Sequence, residues 1–190
     1  MKIRKFNLAL VVLSVLLNGF TAQAAKGISY SMPAAEAGFR WNSASLSGAA
    51  SNKQVIGFQL GVSTVLNFNE KLGLRTGLFY TERSFESNFV GSTGKGKITY
   101  FEVPAQLMLK LEDYAGVYVG PVVAVKLGDE YNAGALTGVK DIVVPVVFGA
   151  QFKFHPNIGA NVFFEAVSGS LASGVDNSRA VGANLMFTLD

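Results

Sequence analysis

Period-two alternation of apolar and polar side chains, sustained over long segments, constrains the fold of this chain more than any other feature. From Val181 to Leu189, Val181, Ala183, Leu185, Phe187 and Leu189 share one face, and Gly182, Asn184, Met186 and Thr188 the other. The same pattern recurs over Ile56–Phe68, Leu72–Arg83, Tyr100–Leu111, Val117–Leu127, Asp141–Phe154 and Ile158–Ala166, and more weakly over Ala35–Ser45, where Ala37, Phe39 and Trp41 oppose Glu36, Gly38, Arg40 and Asn42. Alternation of this kind specifies strands. The segments match the ~9–11 residues that a tilted strand needs to cross hydrocarbon, whereas a strand in a soluble protein averages about 5 or 6.

The apolar faces are nearly free of charge, which suits lipid better than water. The connections alternate in length. Asn69-Glu70-Lys71, Glu112-Asp113 and His155-Pro156-Asn157 are tight; the stretches 46–54, 86–97, 128–139 and 168–177 are long and rich in Gly, Ser, Asn or charge. Short turns at one end and long loops at the other are the pattern of an outer-membrane barrel. Closure also removes the strand edges that lipid cannot satisfy. The expected fold is all-β: an eight-stranded antiparallel up-and-down transmembrane β-barrel. Pro104, Pro121 and Pro145 interrupt expected strands; bulges that help closure are the favoured reading, and edge strands of an open sheet the alternative.

Residues 1–24 have the three-part layout of a secretory leader: basic Lys2, Arg4 and Lys5, an apolar run Leu8–Leu17, and the small-residue site Ala22-Gln23-Ala24. That run is shorter than the ~20 residues of a spanning helix, which disfavours an uncleaved anchor. The expected organisation is a cleaved signal peptide at 1–24, a periplasmic lead-in at 25–34 and a barrel domain at 35–190. Without the three leader cations the basic count falls from 16 to 13, equal to the acidic count of 13. The basic pI therefore belongs to the leader, and nucleic acid is not an expected partner.

The succession Ile56-Gly57-Phe58-Gln59-Leu60-Gly61, Leu78-Phe79-Tyr80, Tyr100-Phe101-Glu102-Val103-Pro104 and Tyr118-Val119-Gly120-Pro121 resembles the PorT-like family of outer-membrane β-barrel proteins, over about Gly38 to Leu189. The resemblance implies an eight-stranded barrel, in a family where many members have no assigned molecular activity, and for some members a link to secretion or envelope assembly. Many such barrels end on an aromatic residue; here Phe187 is followed by Thr188, Leu189 and Asp190.

The polar faces carry Glu36, Arg40, Arg75, Arg83, Glu102, Lys110, Lys126, Asp141, Lys153 and Glu165. An eight-stranded barrel is just wide enough for its own side chains, and charges inside it must pair. A structural salt-bridge network filling the lumen is the leading reading; a narrow ion path and a catalytic cluster are the alternatives. Catalysis has little support. The sole histidine, His155, sits in a tight turn, and zero cysteines exclude thiolate chemistry. No cofactor or metal is expected. The stretch Gly91–Lys97 fails the phosphate-loop pattern and reads as an exposed tip whose lysines could meet anionic sugars or lipid phosphates. Trp41, Phe68, Tyr80, Phe101, Phe152 and Phe154 are candidates for interfacial girdles.

The functional expectation is a non-enzymatic outer-membrane scaffold. Its partners would be the membrane lipid, the barrel-assembly machinery and an envelope or extracellular component met through the loops. A narrow porin-like channel is the alternative. A soluble lipid-binding cup would need the opposite polarity, apolar inside and charged outside.

Overall fold

The computed structural model describes residues 29–89, 92–132 and 136–189. The expected leader at 1–24 and residues 25–28 of the expected lead-in lie outside them. The strands are β1 (Ser29–Leu46), β2 (Ser51–Lys53), β3 (Val55–Asn67), β4 (Leu72–Phe89), β5 (Ser92–Glu112), β6 (Ala115–Tyr131), β7 (Ile142–Val143), β8 (Val146–His155), β9 (Ile158–Ala166) and β10 (Val175–Thr188). Every pairing is antiparallel. β1 pairs with both β3 and β10, and β4 pairs with β5, so the sheet closes on itself. β2 and β3 both lie against β4, and β7 and β8 both lie against β6. Ten strands thus make eight staves.

Alternation puts Phe39, Leu60, Leu107, Phe148, Phe164 and Leu185 on the outer wall, where they are 44–59% exposed, and Glu36, Arg75, Arg83 and Glu165 inside at 1–3%. A soluble protein does not leave so continuous an apolar wall in contact with water. Of the girdle candidates, Phe68, Phe152 and Phe154 are exposed towards the turn end, Trp41 and Tyr80 are exposed on the loop half, and Phe101 is half-buried opposite Tyr80.

Several elements extend further than the alternation indicated. β1 begins at Ser29 instead of Ala35, because 29–31 pair with 65–67 of β3 before a bulge at Met32-Pro33. The stretch 86–97 is not a loop. β4 and β5 continue as a hairpin, paired from Phe79↔Glu102 out to Phe89↔Ser92. β6 follows them to Tyr131, and β2 adds a fourth strand, so a four-stranded ribbon rises beyond the loop-end rim. The polar composition of 86–97 reflects its place above the apolar wall, where its outer face carries Glu86, Lys95 and Lys97.

The prolines act without shifting the strands. Pro104 stands opposite Val122 and Pro121 opposite Val146, and the register is the same on both sides of each. Pro145 falls in the gap between β7 and β8, where its carbonyl still accepts from the Val122 amide at 2.9 Å. The bulges of β5 and β6 lie elsewhere, at Thr99/Tyr100 and Lys110/Glu112. Both strands are paired on each side, so neither is an edge.

Inward glycines make the narrow lumen fillable. Phe163 lies over Gly182, its register partner on β10; Tyr118 lies over Gly149, Phe79 over Gly61 and Phe85 over Gly96. In each case a Cβ on the glycine would run into the ring, so a large side chain fits only where its neighbour has none. Gly182→Val is expected to block folding or cost several kcal/mol by overpacking, on the scale of ~1–3 kcal/mol per inserted group or more. The outward Val181→Leu is expected to be silent. Heat-dependent gel mobility of the refolded chains compares the two, and a normally folding Gly182→Val would refute the packing argument.

Candidate functional site

The inner face of β4 lays out the lumen in order: Gly73, Arg75, Phe79, Arg83 and Phe85. At ~3.3 Å per residue, Arg75, Phe79 and Arg83 mark levels about 13 Å apart along the strand. Each level is a separate packing problem.

In the layer nearer the turns, Glu36 of β1 accepts from Arg75 Nη2 at 2.5 Å, from Asn161 Nδ2 at 2.9 Å, from Asn184 Nδ2 at 3.2 Å and from the Ser63 hydroxyl. Arg75 also donates Nη1 to Gln106 Oε1 at 2.9 Å and Nε to Gln151 Oε1 at 3.0 Å, and its guanidinium lies 4.7 Å from the Tyr118 ring centroid. The Tyr118 hydroxyl donates to Asn161 Oδ1 at 2.5 Å. The guanidinium thus meets a carboxylate, two amides and an aromatic face, and its charge is neutralised within hydrogen-bond range.

In the layer nearer the loops, Glu165 of β9 accepts from both Arg40 Nη2 and Arg83 Nη1 at 2.5 Å, and from Arg83 Nη2 at 3.0 Å. Arg83 Nη2 reaches Glu102 at 2.5 Å, Arg40 Nε donates to Asn42 Oδ1 at 2.9 Å, and Arg83 lies over the Tyr100 ring. Three arginines thus meet three glutamates inside the barrel. Between the layers stand Phe79, Val122, Val147 and Phe163. They border a cavity of about 20 Å³, room for a single water, which is lined also by Arg75, Gln106 and Asn161 of one layer, by Glu102 and Glu165 of the other, and by Gln59, whose Oε1 has no protein partner.

Both ends are closed by apolar side chains. Met32, Val65 and Met108 form a floor at the turn end. At the loop end, Leu171, Ala172 and Val175 pack with Phe85, Ile98, Tyr100, Val143 and Val167, against partly buried Leu136 and Val139. The lid they form is held by backbone bonds from Lys140 N to Leu171 O, Ser173 N to Thr137 O and Ser47 N to Gly174 O, each 2.9 Å. Positive φ at Gly169 and Gly174 lets segment 168–174 fold inward.

The structure therefore gathers Glu36, Arg40, Arg75, Arg83, Glu102 and Glu165, and leaves the other four candidates outside the two layers. Lys126, at the loop-end rim, pairs with Asp129 at 3.0 Å and with exposed Asp141 at 3.7 Å. Lys110 and Lys153, opposite Gly116 and Gly159, are half-buried near the turn end. His155 ends β8, and its Nδ1 accepts from the Asn157 amide. The uncharged members of the network, Ser63, Gln106, Gln151, Asn161 and Asn184, carry no charge signal; their inward parity is what marks them.

The ribbon holds a second polar cluster, outside the barrel wall. Glu86 accepts from Lys53 at 3.0 Å and lies 3.2 Å from Lys95, and Lys97 lies 3.6 Å from both Glu82 and Glu130. Hydrogen bonds from Lys53 and Lys95 hold the Glu86 carboxyl below its ordinary range, and Glu82 and Glu130 push the Lys97 ammonium above its own. A lowered carboxyl pKa adds stability that is lost only as pH falls through it, and a raised ammonium pKa adds stability that is lost only as pH rises through it. Glu86 and Lys97 are therefore both charged across the neutral range.

A closed eight-stave antiparallel barrel with an apolar wall and a filled polar lumen belongs to the class of small outer-membrane-type β-barrels. A solved structure agrees on the fold. Neisserial surface protein A aligns at a TM-score of 0.56 and 16% identity, covering 85% of this chain and 99% of that one. Ail, the attachment invasion locus protein of Yersinia pestis, in its complex with the heparin analogue sucrose octasulfate, aligns at 0.46 and 20%, covering 82% and 97%. No family model matches the chain, and no curated protein is similar to it in sequence.

Breaking one partner inside the lumen strands the others. Arg83→Ala leaves Glu102 and half of Glu165 without a cation and is expected to cost ~3–5 kcal/mol, whereas Arg75→Met combined with Glu36→Leu removes a pair together and costs less. Denaturant midpoints of the refolded variants in micelles read the difference. Equal losses would show that the network does not act through charge pairing.

Proposed function

We propose that this chain is an exported outer-membrane protein that acts as a membrane-anchored structural and interaction scaffold, with the loop end and its ribbon outside the cell. The observation that carries this reading is the filling of the lumen: floor and lid are apolar, Phe79 and Phe163 help narrow the middle to a cavity with room for one water, and each buried arginine has a glutamate at 2.5 Å. A middle this narrow leaves hydrated ions no room, which weighs against the porin-like alternative. In this reading residues 1–24 are the cleaved leader, the barrel-assembly machinery inserts the strands, and outer-membrane lipid surrounds the wall. The six gathered charges hold the lumen shut and do no catalysis; no cofactor is required. The finer kinship to PorT-like barrels rests on the motifs of β3 to β6, and the partner would be an envelope or extracellular component.

Planar-bilayer recording of the refolded mature chain is expected to be silent. Leu171→Asp, which spoils the lid, is expected to stay silent too, because Phe79 and Phe163 still separate the layers. Discrete conductance steps from the unaltered chain would transfer the reading to a channel. The topology has its own test. The chain has no cysteine, so Thr93→Cys near the exposed ribbon tip introduces a single thiol. It is expected to react with a membrane-impermeant reagent on intact cells, and protection until lysis would place the ribbon on the inner side.

A further inference from the structure

The outer face of the ribbon has an ordered charge pattern that the scaffold reading does not use. Lys53, Glu86 and Lys95 stand side by side on β2, β4 and β5 as one rung, since Lys53 and Lys95 are the register partners of Glu86. Ser84, Lys97 and Glu130 form the next rung on β4, β5 and β6, and Glu82 reaches Lys97 from below. The first rung has two cations and one anion; the second group has one cation and two anions. The cluster is neutral as a whole yet strongly polarised, with its two centres two residues apart along β4, about 7 Å at ~3.3 Å per residue. A groove of about 500 Å³ lies against it, lined among others by Ser84, Glu86, Lys95, Lys97, Glu130 and Asn132, while Lys53 and Glu82 flank it through their pairs with Glu86 and Lys97.

A neutral cluster has little long-range pull on a simple anion, and its own carboxylates oppose one at close range. A ligand carrying a phosphate and an amine joined by a short linker meets both rungs with the right sign. We propose that this groove binds a zwitterionic phosphate–amine group of the phosphoethanolamine type, with the phosphate on Lys95, supported by the flanking Lys53, and the amine on Glu130, supported by the flanking Glu82. β4 runs away from the membrane from Leu72 to Phe89, so the cationic rung is the outer one. The amine then points towards the barrel and the phosphate away from it. A lipid headgroup in the surrounding leaflet has the reverse order, so the pattern selects a group presented from outside, on a sugar or on another membrane. This orientation rests on the topology proposed above.

The test is amide NMR on the refolded chain in micelles, following Ser84, Glu86, Lys95, Lys97 and Glu130 during titration with phosphoethanolamine, inorganic phosphate and ethanolamine in separate samples. The expected result is saturable shifts confined to the ribbon, at an apparent Kd for the zwitterion at least tenfold below that for either half alone. Lys53→Glu combined with Lys95→Glu makes the outer rung acidic and is expected to abolish the tenfold preference. Heat-dependent gel mobility confirms that this variant still folds. Added vesicles of phosphatidylglycerol with and without phosphatidylethanolamine assign the source: shifts with the headgroup-bearing vesicles indicate a lipid-borne group, and shifts with the free compound alone a soluble or sugar-borne one. Inorganic phosphate binding as well as the zwitterion, or no saturable shift in a folded barrel, would overturn the proposal. Neither result bears on the scaffold reading, which stands or falls on the conductance and the Thr93→Cys labelling.

Discussion

Three guanidinium groups sealed inside an apolar tube have no water to turn to, and the remainder of the structure follows from how they are neutralised. Arg40 and Arg83 converge on Glu165, Arg83 spans on to Glu102, and Arg75 is held by Glu36. These contacts join β1, β4, β5 and β9 across the lumen, so the barrel is braced through its middle as well as around its wall. Replacing such pairs by well-packed apolar groups often costs nothing, and a buried ion pair is therefore weak grounds for stability alone. Its consequence here is geometric. A neutral network in which every arginine faces a glutamate leaves no unpaired charge to attract ions, although Arg40 Nη1 and Arg83 Nε have no hydrogen-bond partner of their own.

The wall and the lumen were legible in the sequence to the extent that parity carries them. Parity separates Leu185 from Asn184 and Phe148 from Gly149, and it sorts the six central charges correctly. It says nothing about height along the barrel. Lys110, Lys126, Asp141 and Lys153 share the inward or near-inward parity of Arg75, yet they sit close to the ends, where a charge can reach solvent or a rim partner. Height depends on stagger between staves, which is a property of long-range register and has no local signature.

The ribbon illustrates the opposite failure. Glycine, serine and lysine in 86–97 read as loop because strand signals are tuned to a buried face. In the folded chain those residues extend β4 and β5 beyond the apolar wall, and Gly96 is there to admit the Phe85 ring. The lid is a related case. Leu171 and Ala172 lie in a stretch rich in serine and glycine, and only the inward fold at Gly169 and Gly174 brings them to the mouth.

Lid and ribbon are also mechanically one object. Phe85 and Ile98, on the inner face of the ribbon's base, form the back wall against which Leu171 packs, and Tyr131 of β6 stacks beside Phe85 with ring centroids 6.2 Å apart. The outer face of the same strands carries the lysine–glutamate rungs. Because inward and outward residues alternate along a strand only about 3.3 Å apart, the apolar seal and the polarised surface share one backbone, and neither can shift without the other. A small barrel with a sealed lumen has only its rim on which to present chemistry. This one stiffens its rim by anchoring it in the plug, so the surface offered to the outside is held in place by the same packing that closes the interior.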